Sequence, residues 1–145
     1  MKIIASILIV LALVIAVVPQ FTDCQSQGKA LTLQNGKTVA MKCHWTSQAE
    51  IAVAGPMLVL GGMMFLNRRK ESLRTLSLLG VVLGAFAVLL PTVMIGVCAN
   101  PDMLCNSAMK PTLIFSGSLA AIASLIGLYL NRGAEPHLMA GASAS

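Results

Sequence analysis

Four cysteines carry the most reactive atoms in the chain, and they fall into two pairs, Cys24 with Cys43 and Cys98 with Cys105, separated by 18 and 6 intervening residues. Thiols so placed can bridge, exchange disulfides or bind soft metals. The stretch Met41-Lys42-Cys43-His44-Trp45 adds a thioether, an imidazole and an indole beside Cys43, and Met103 and Met109 flank Cys105. Sulfur ligands with an imidazole suit Cu(I) or Ag(I), and an indole face can sit against such a cation. Met41, His44, Met103 and Met109 are therefore candidate soft-metal ligands. Against a metal, methionines run along the whole chain, Met57, Met63, Met64 and Met94 among them, and a His44-Trp45 pair equally suits the headgroup region of a bilayer. Neither cysteine pair has the Cys-x-x-Cys spacing that tunes a thiol for exchange. Structural bridges are the plainer expectation, and no catalytic residue or cofactor is assigned.

The elements that must position these sulfurs are read from composition. Of 145 residues, 57% are hydrophobic and 10% charged, with a mean hydropathy of +0.83, against roughly 25% charged in an ordinary soluble domain. Too few charges remain to solvate a surface of that size, which argues against a soluble enzyme, a disordered chain or a nucleic-acid-binding module. Four segments approach the roughly 20 apolar residues that a spanning helix needs: about 3–18, 49–66, 76–97 and 112–130. The first begins after Lys2 like a signal peptide. However, Val14-Ile15-Ala16 lies inside the apolar run, and Gln20-Phe21-Thr22-Asp23 before Cys24 makes no lipobox, so an uncleaved anchor is expected. The fold class expected is an all-α integral membrane protein, a four-helix bundle over residues 1–131 with a small disulfide-stapled outer cap. Residues 132–145 have neither periodicity nor charge density and read as a cytoplasmic tail, disordered or foreign to the native chain.

Orientation follows from the basic residues. Arg68, Arg69, Lys70 and Arg74 crowd the short connection between the second and third spans, with Lys2 and Arg132 on the same side. The positive-inside rule assigns that side, and both termini, to the cytoplasm of a plasma (inner) membrane protein. The cluster could also bind anionic headgroups, although its topogenic role is the simpler one. All four cysteines then lie outside, in loops 19–48 and 98–111, where an oxidising compartment permits disulfides. In the first loop, Gln34-Asn35-Gly36-Lys37 between Leu31-Thr32-Leu33 and Thr38-Val39-Ala40-Met41 signals a β-hairpin. In the second, turn-forming residues lead to Pro111, and pairing of Cys98 with Cys105 is the simplest of three connectivities.

Gly80 and Gly84, and Ser116, Ala120 and Ser124 with Ala123 and Gly127, form small-xxx-small patterns on the third and fourth spans. These mark close helix contacts, either within the bundle or in a homo-oligomer or partner interface. Pro56 and Pro91 should kink their helices. Glu50 sits at the outer boundary of the second span, and no charged side chain lies deeper, which argues against an ion-coupled transporter or pump.

Two cysteines in each of two outer loops of a four-span bundle resemble, in layout, the bacterial disulfide-generating quinone reductases of the DsbB type. That resemblance implies a membrane thiol–disulfide oxidoreductase, from which this chain departs by lacking Cys-x-x-Cys. A closer pattern comprises a short anchor, Cys43-His44-Trp45-Thr46 followed by Ala49-Glu50, then Pro91-Thr92, Gly96-Val97-Cys98, Met103-x-Cys105 and Pro111. Over nearly residues 1–131 it resembles a family of small four-span bacterial and archaeal membrane proteins known as a domain of unknown function. The resemblance implies work beside transport complexes such as ABC-type permeases, and it transfers no functional residue. A non-catalytic accessory or assembly subunit, presenting its cap to a membrane partner or packing as a homo-oligomer in the lipid bilayer, is the expected role. Outer-face thiol exchange and Cu(I)/Ag(I) binding are the alternatives.

Overall fold

The computed structural model describes residues 2–24, 28, 31–67, 69–97 and 102–131; Arg68, Cys98 and the expected tail lie outside the described residues. Four apolar helices dominate: α1 (Lys2–Thr22), α2 (Lys42–Leu66), α3 (Lys70–Leu89) and α4 (Lys110–Leu130). A two-stranded antiparallel hairpin, β1 (Leu31–Thr32) and β2 (Thr38–Val39), stands between α1 and α2 with Leu31 opposite Val39 and Thr32 opposite Thr38. Gly36 closes its turn at φ 73°, a conformation favouring glycine.

Each helix is long and apolar enough to cross a membrane, yet only 28–39% of the residues in the most apolar window of each are buried inside the bundle. Ile3, Val10, Phe21, Val59, Phe115 and Ile122 face outward. In water so much exposed apolar surface would drive association, whereas in hydrocarbon it is the stable arrangement. The chain has the build of a multi-pass membrane protein.

The helices run further than their hydropathy. α1 continues through Pro19 to Thr22, beyond the expected end near 18, and α2 begins at Lys42 rather than 49. Backbone hydrogen bonding continues past the apolar run because the buried stripe of α2 already includes Cys43, Thr46 and Ser47. The outer loops expected at 19–48 and 98–111 are correspondingly shorter. The second ends in a π-helical turn, Cys105–Met109, that runs directly into α4. The irregularity expected at Pro91 is a second π-helical turn, Leu90–Met94, which extends α3. Pro91 has no N–H to donate, and the turn closes instead through Ile95 and Gly96 N–H donated to the Leu90 carbonyl at 3.1 and 3.2 Å.

Packing follows a seven-residue rhythm. Ala5, Leu8, Ala12, Ile15 and Pro19 bury one stripe of α1, and Cys43, Glu50, Met57 and Met64 mark the same period on α2. Spacings of three and four are the signature of a near-antiparallel bundle seam. α1 packs chiefly on α2, and α3 on α4. Gly80 faces Ser124, and Gly84 crosses α4 at Ala121 and Gly117; a Cβ on Gly84 would stand 2.8 Å from the Ala121 nitrogen and 3.0 Å from the Gly117 carbonyl. Ser116, Ala120 and Ser124 lie on the buried stripe of α4. These small residues therefore serve contacts within the chain.

Gly84→Ala should destabilise the bundle by about 1–3 kcal/mol, because its neighbours are backbone atoms that cannot rotate away. Gly62→Ala, with nothing within 4 Å of the added carbon, should be neutral or slightly stabilising through helix propensity. Thermal unfolding of both variants in detergent checks the pair, and equal midpoints would contradict the packing described.

Candidate functional site

Three elements end at the same place. α1 closes with the Asp23 N–H donated to the Pro19 carbonyl at 3.0 Å, and Cys24 follows. α2 opens after Met41, its N-cap residue, which puts Cys43 in the first turn. The π-helical turn before α4 begins at Cys105, with the Asn106 and Ser107 N–H groups both donated to the Met103 carbonyl.

Their sulfurs converge. Cys24 and Cys43 form a disulfide with Cα atoms 6.4 Å apart, and the Cys105 Sγ lies 3.4 Å from the Cys24 Sγ. All three Sγ atoms fall within 4.8 Å of one another. Relative exposures of 3% for Cys24, 0% for Cys43 and 1% for Cys105 show that the cluster is sealed. The segment after α1 and the turn before α4 thus meet through sulfur, which pairing within each loop does not anticipate. The expected partner of Cys105, Cys98, is outside the described residues.

The soft-metal candidates distribute unevenly around this cluster. Met109 is fully buried, four positions after Cys105, and half-buried Met41 and Met103 pack against the same core. His44 instead pairs through Nδ1 with the Asp23 carboxylate at 3.2 Å. Trp45 meets the His44 ring edge-on at 6.0 Å and is 61% exposed. The group that the fold brings within reach of a single cation is Cys24, Cys43 and Cys105. Arg69, Lys70 and Arg74 lie at the start of α3, beyond the far end of α2 from Cys43 and roughly 35 Å along that helix axis.

Below the sulfurs the seam stays polar for two turns. The Thr46 hydroxyl donates to the Gly96 carbonyl at 2.7 Å, tying α2 to the segment after the Leu90–Met94 turn, and Gln20 Nε2 donates to the Ser47 hydroxyl at 3.0 Å, tying α1 to α2. One turn further stands Glu50, 0% exposed, with neither carboxylate oxygen hydrogen-bonded among the described residues. Its expected place at a span boundary is corrected: once α2 starts at Lys42, Glu50 lies in the third turn, on the stripe of Cys43 and Met57. The seven-residue spacing from Cys43 through Met64 was the sequence signal for this burial. Gly117, which receives Gly84, was likewise not singled out by the small-residue patterns.

A buried carboxylate without a partner costs free energy. Glu50→Met, similar in volume, should therefore raise stability by about 1–3 kcal/mol, measured as the thermal midpoint in detergent. A lower midpoint would mean that the carboxylate holds the bundle together.

Comparison with known proteins returned a single kind of match. No curated protein and no solved structure matches the chain. The family model described as a domain of unknown function, DUF4418, matches residues 3–130. Four apolar helices with three sulfurs gathered at one end are thus carried on nearly the whole length of that domain, and the chain belongs to the DUF4418 family.

Proposed function

We propose that this protein is a non-catalytic accessory or assembly subunit of the plasma (inner) membrane that offers its outer cap to a membrane partner, a transport complex being the class implied by the family resemblance. The observation that carries the reading is the burial of all three sulfurs of the cluster at 0–3% exposure. Disulfide exchange with a protein partner requires that partner's sulfur to approach the bond directly, and burial to this degree leaves no face on which a folded protein could present one. A sealed bridge instead braces: closing the Cys24–Cys43 loop, 19 positions apart, stabilises by about 3 kcal/mol in the chain-entropy picture.

What the bridge holds up is the hairpin. Residues 31–39 are exposed throughout, Leu31, Leu33 and Val39 included. A two-stranded hairpin with no buried face is marginal in water, so a braced base and an apolar tip suit a surface that packs against another protein. The basic residues at the opposite end of the bundle support an orientation with Arg69, Lys70 and Arg74 in the cytoplasm and the sulfur cluster outside.

Two measurements test this reading. In intact cells, an impermeant maleimide should label Asn35→Cys and spare Ser72→Cys, while the buried native sulfurs stay silent; the reverse pattern would overturn the orientation. In detergent, the purified protein should show no dithiol oxidation. A stoichiometric membrane partner should copurify and be lost when Leu31, Leu33 and Val39 are changed to threonine without lowering the thermal midpoint. Dithiol turnover by the purified chain would replace the accessory reading with the oxidoreductase one.

A further inference from the structure

We propose that, once the Cys24–Cys43 bond is reduced, Cys24, Cys43 and Cys105 form a three-coordinate thiolate site for a soft monovalent cation of the Cu(I) class. The proposal does not depend on the accessory reading.

The geometry is already close to that of a site. A cation in the plane of three sulfurs at about 2.3 Å from each spaces them about 4.0 Å apart; the three Sγ atoms lie within 4.8 Å of one another, Cys105 already 3.4 Å from Cys24, and the Cys24–Cys43 pair has to part only on losing its bond. Each sulfur comes from a different element, the end of α1, the first turn of α2 and the π-helical turn before α4. Their backbones are held by helix hydrogen bonds and by the Gln20–Ser47 and Thr46–Gly96 contacts, none of which involves the disulfide.

The donor set selects the cation. Three thiolates in the same buried core as the thioethers of Met41, Met103 and Met109 are soft ligands, which favours Cu(I) and Ag(I) over Mg²⁺, Ca²⁺ or Mn²⁺. Zn²⁺ takes four ligands in tetrahedral geometry, and among the described residues three converge. The nearby carboxylate, Asp23, is engaged with His44, and His44 stands in that pair rather than among the sulfurs, so the ligands differ from the Met41 and His44 set that the sequence suggests.

The chemistry balances with one named co-reactant. A dithiol reductant gives two electrons and two protons to the Cys24–Cys43 bond and leaves as its own disulfide, producing two thiols. The cation then displaces thiol protons to solvent, with no change in metal oxidation state. The outer end is thereby held by a covalent bridge when oxidised and by a metal when reduced.

The test uses the full chain in detergent, reduced anaerobically, freed of reductant and titrated with Cu(I) delivered as its acetonitrile complex against a chromophoric Cu(I) chelator. One Cu(I) per chain is expected, with only sulfur neighbours in the X-ray absorption spectrum, and Ag(I) should displace it. Oxidised protein should bind none. Cys105→Ser, which retains the Cys24–Cys43 bridge as a check on folding in its oxidised form, should lose at least about 100-fold in affinity, since loss of even a supporting outer-shell group costs 10–100-fold. His44→Ala should bind like the parent. Undiminished binding by Cys105→Ser, dependence on His44 in place of Cys105, or loss of helical circular dichroism on reduction before metal is added would each overturn the proposal.

Discussion

In a bundle surrounded by hydrocarbon, apolar side chains gain nothing by leaving their solvent, so helices cohere only where their backbones come close enough for dense van der Waals contact. The crossing of α3 and α4 at Gly84 and Gly117 meets that requirement, with no space for a Cβ on either side. Gly61 of α2 does the same against Ile9 and Ala5 of α1. From these two close pairings the remaining geometry follows: the seven-residue seams face inward, the larger side chains Leu8, Ile15, Met57, Leu60 and Leu113 fill the interior, and broad apolar faces are left for lipid.

The same solvent decides where polar groups go. Ser77 and Ser116 donate to carbonyls one turn back on their own helices, at 2.8 and 2.7 Å, which satisfies a buried hydroxyl without a partner helix. Asn131 closes α4 by donating to the Gly127 carbonyl at 2.7 Å. Polar contacts between elements gather at the sulfur end, where Gln20, Thr46, His44 and the three sulfurs link α1, α2, the segment after the Leu90–Met94 turn and the Cys105–Met109 turn. Glu50, lying just below with neither oxygen hydrogen-bonded among the described residues, departs from this pattern, since a buried carboxylate is ordinarily paired.

The sulfur end therefore combines rigidity with chemistry. π-helical turns widen a helix and leave its hydrogen bonds less regular, and both occur here, one carrying Pro91 and the other beginning at Cys105 and ending at Met109. The hairpin follows the bridged base in sequence and exposes residues 31–39 throughout.

Much of this was legible in one dimension. Long uncharged runs specify four helices because a backbone in lipid must bond within itself; the Asn35-Gly36 turn specifies the hairpin because few residues accept positive φ; and paired glycines specify close crossings because volume is a local property. Helix ends were not legible, since Lys42 to Gln48 reads as polar loop by hydropathy although its buried face continues the stripe of α2. The meeting of Cys105 with Cys24, the withdrawal of His44 to Asp23 and the burial of Glu50 belong to the tertiary structure alone. Each depends on which helices are neighbours and in what rotation, a relation between residues as far as 21 (His44 and Asp23) and 81 (Cys24 and Cys105) positions apart that no local pattern encodes.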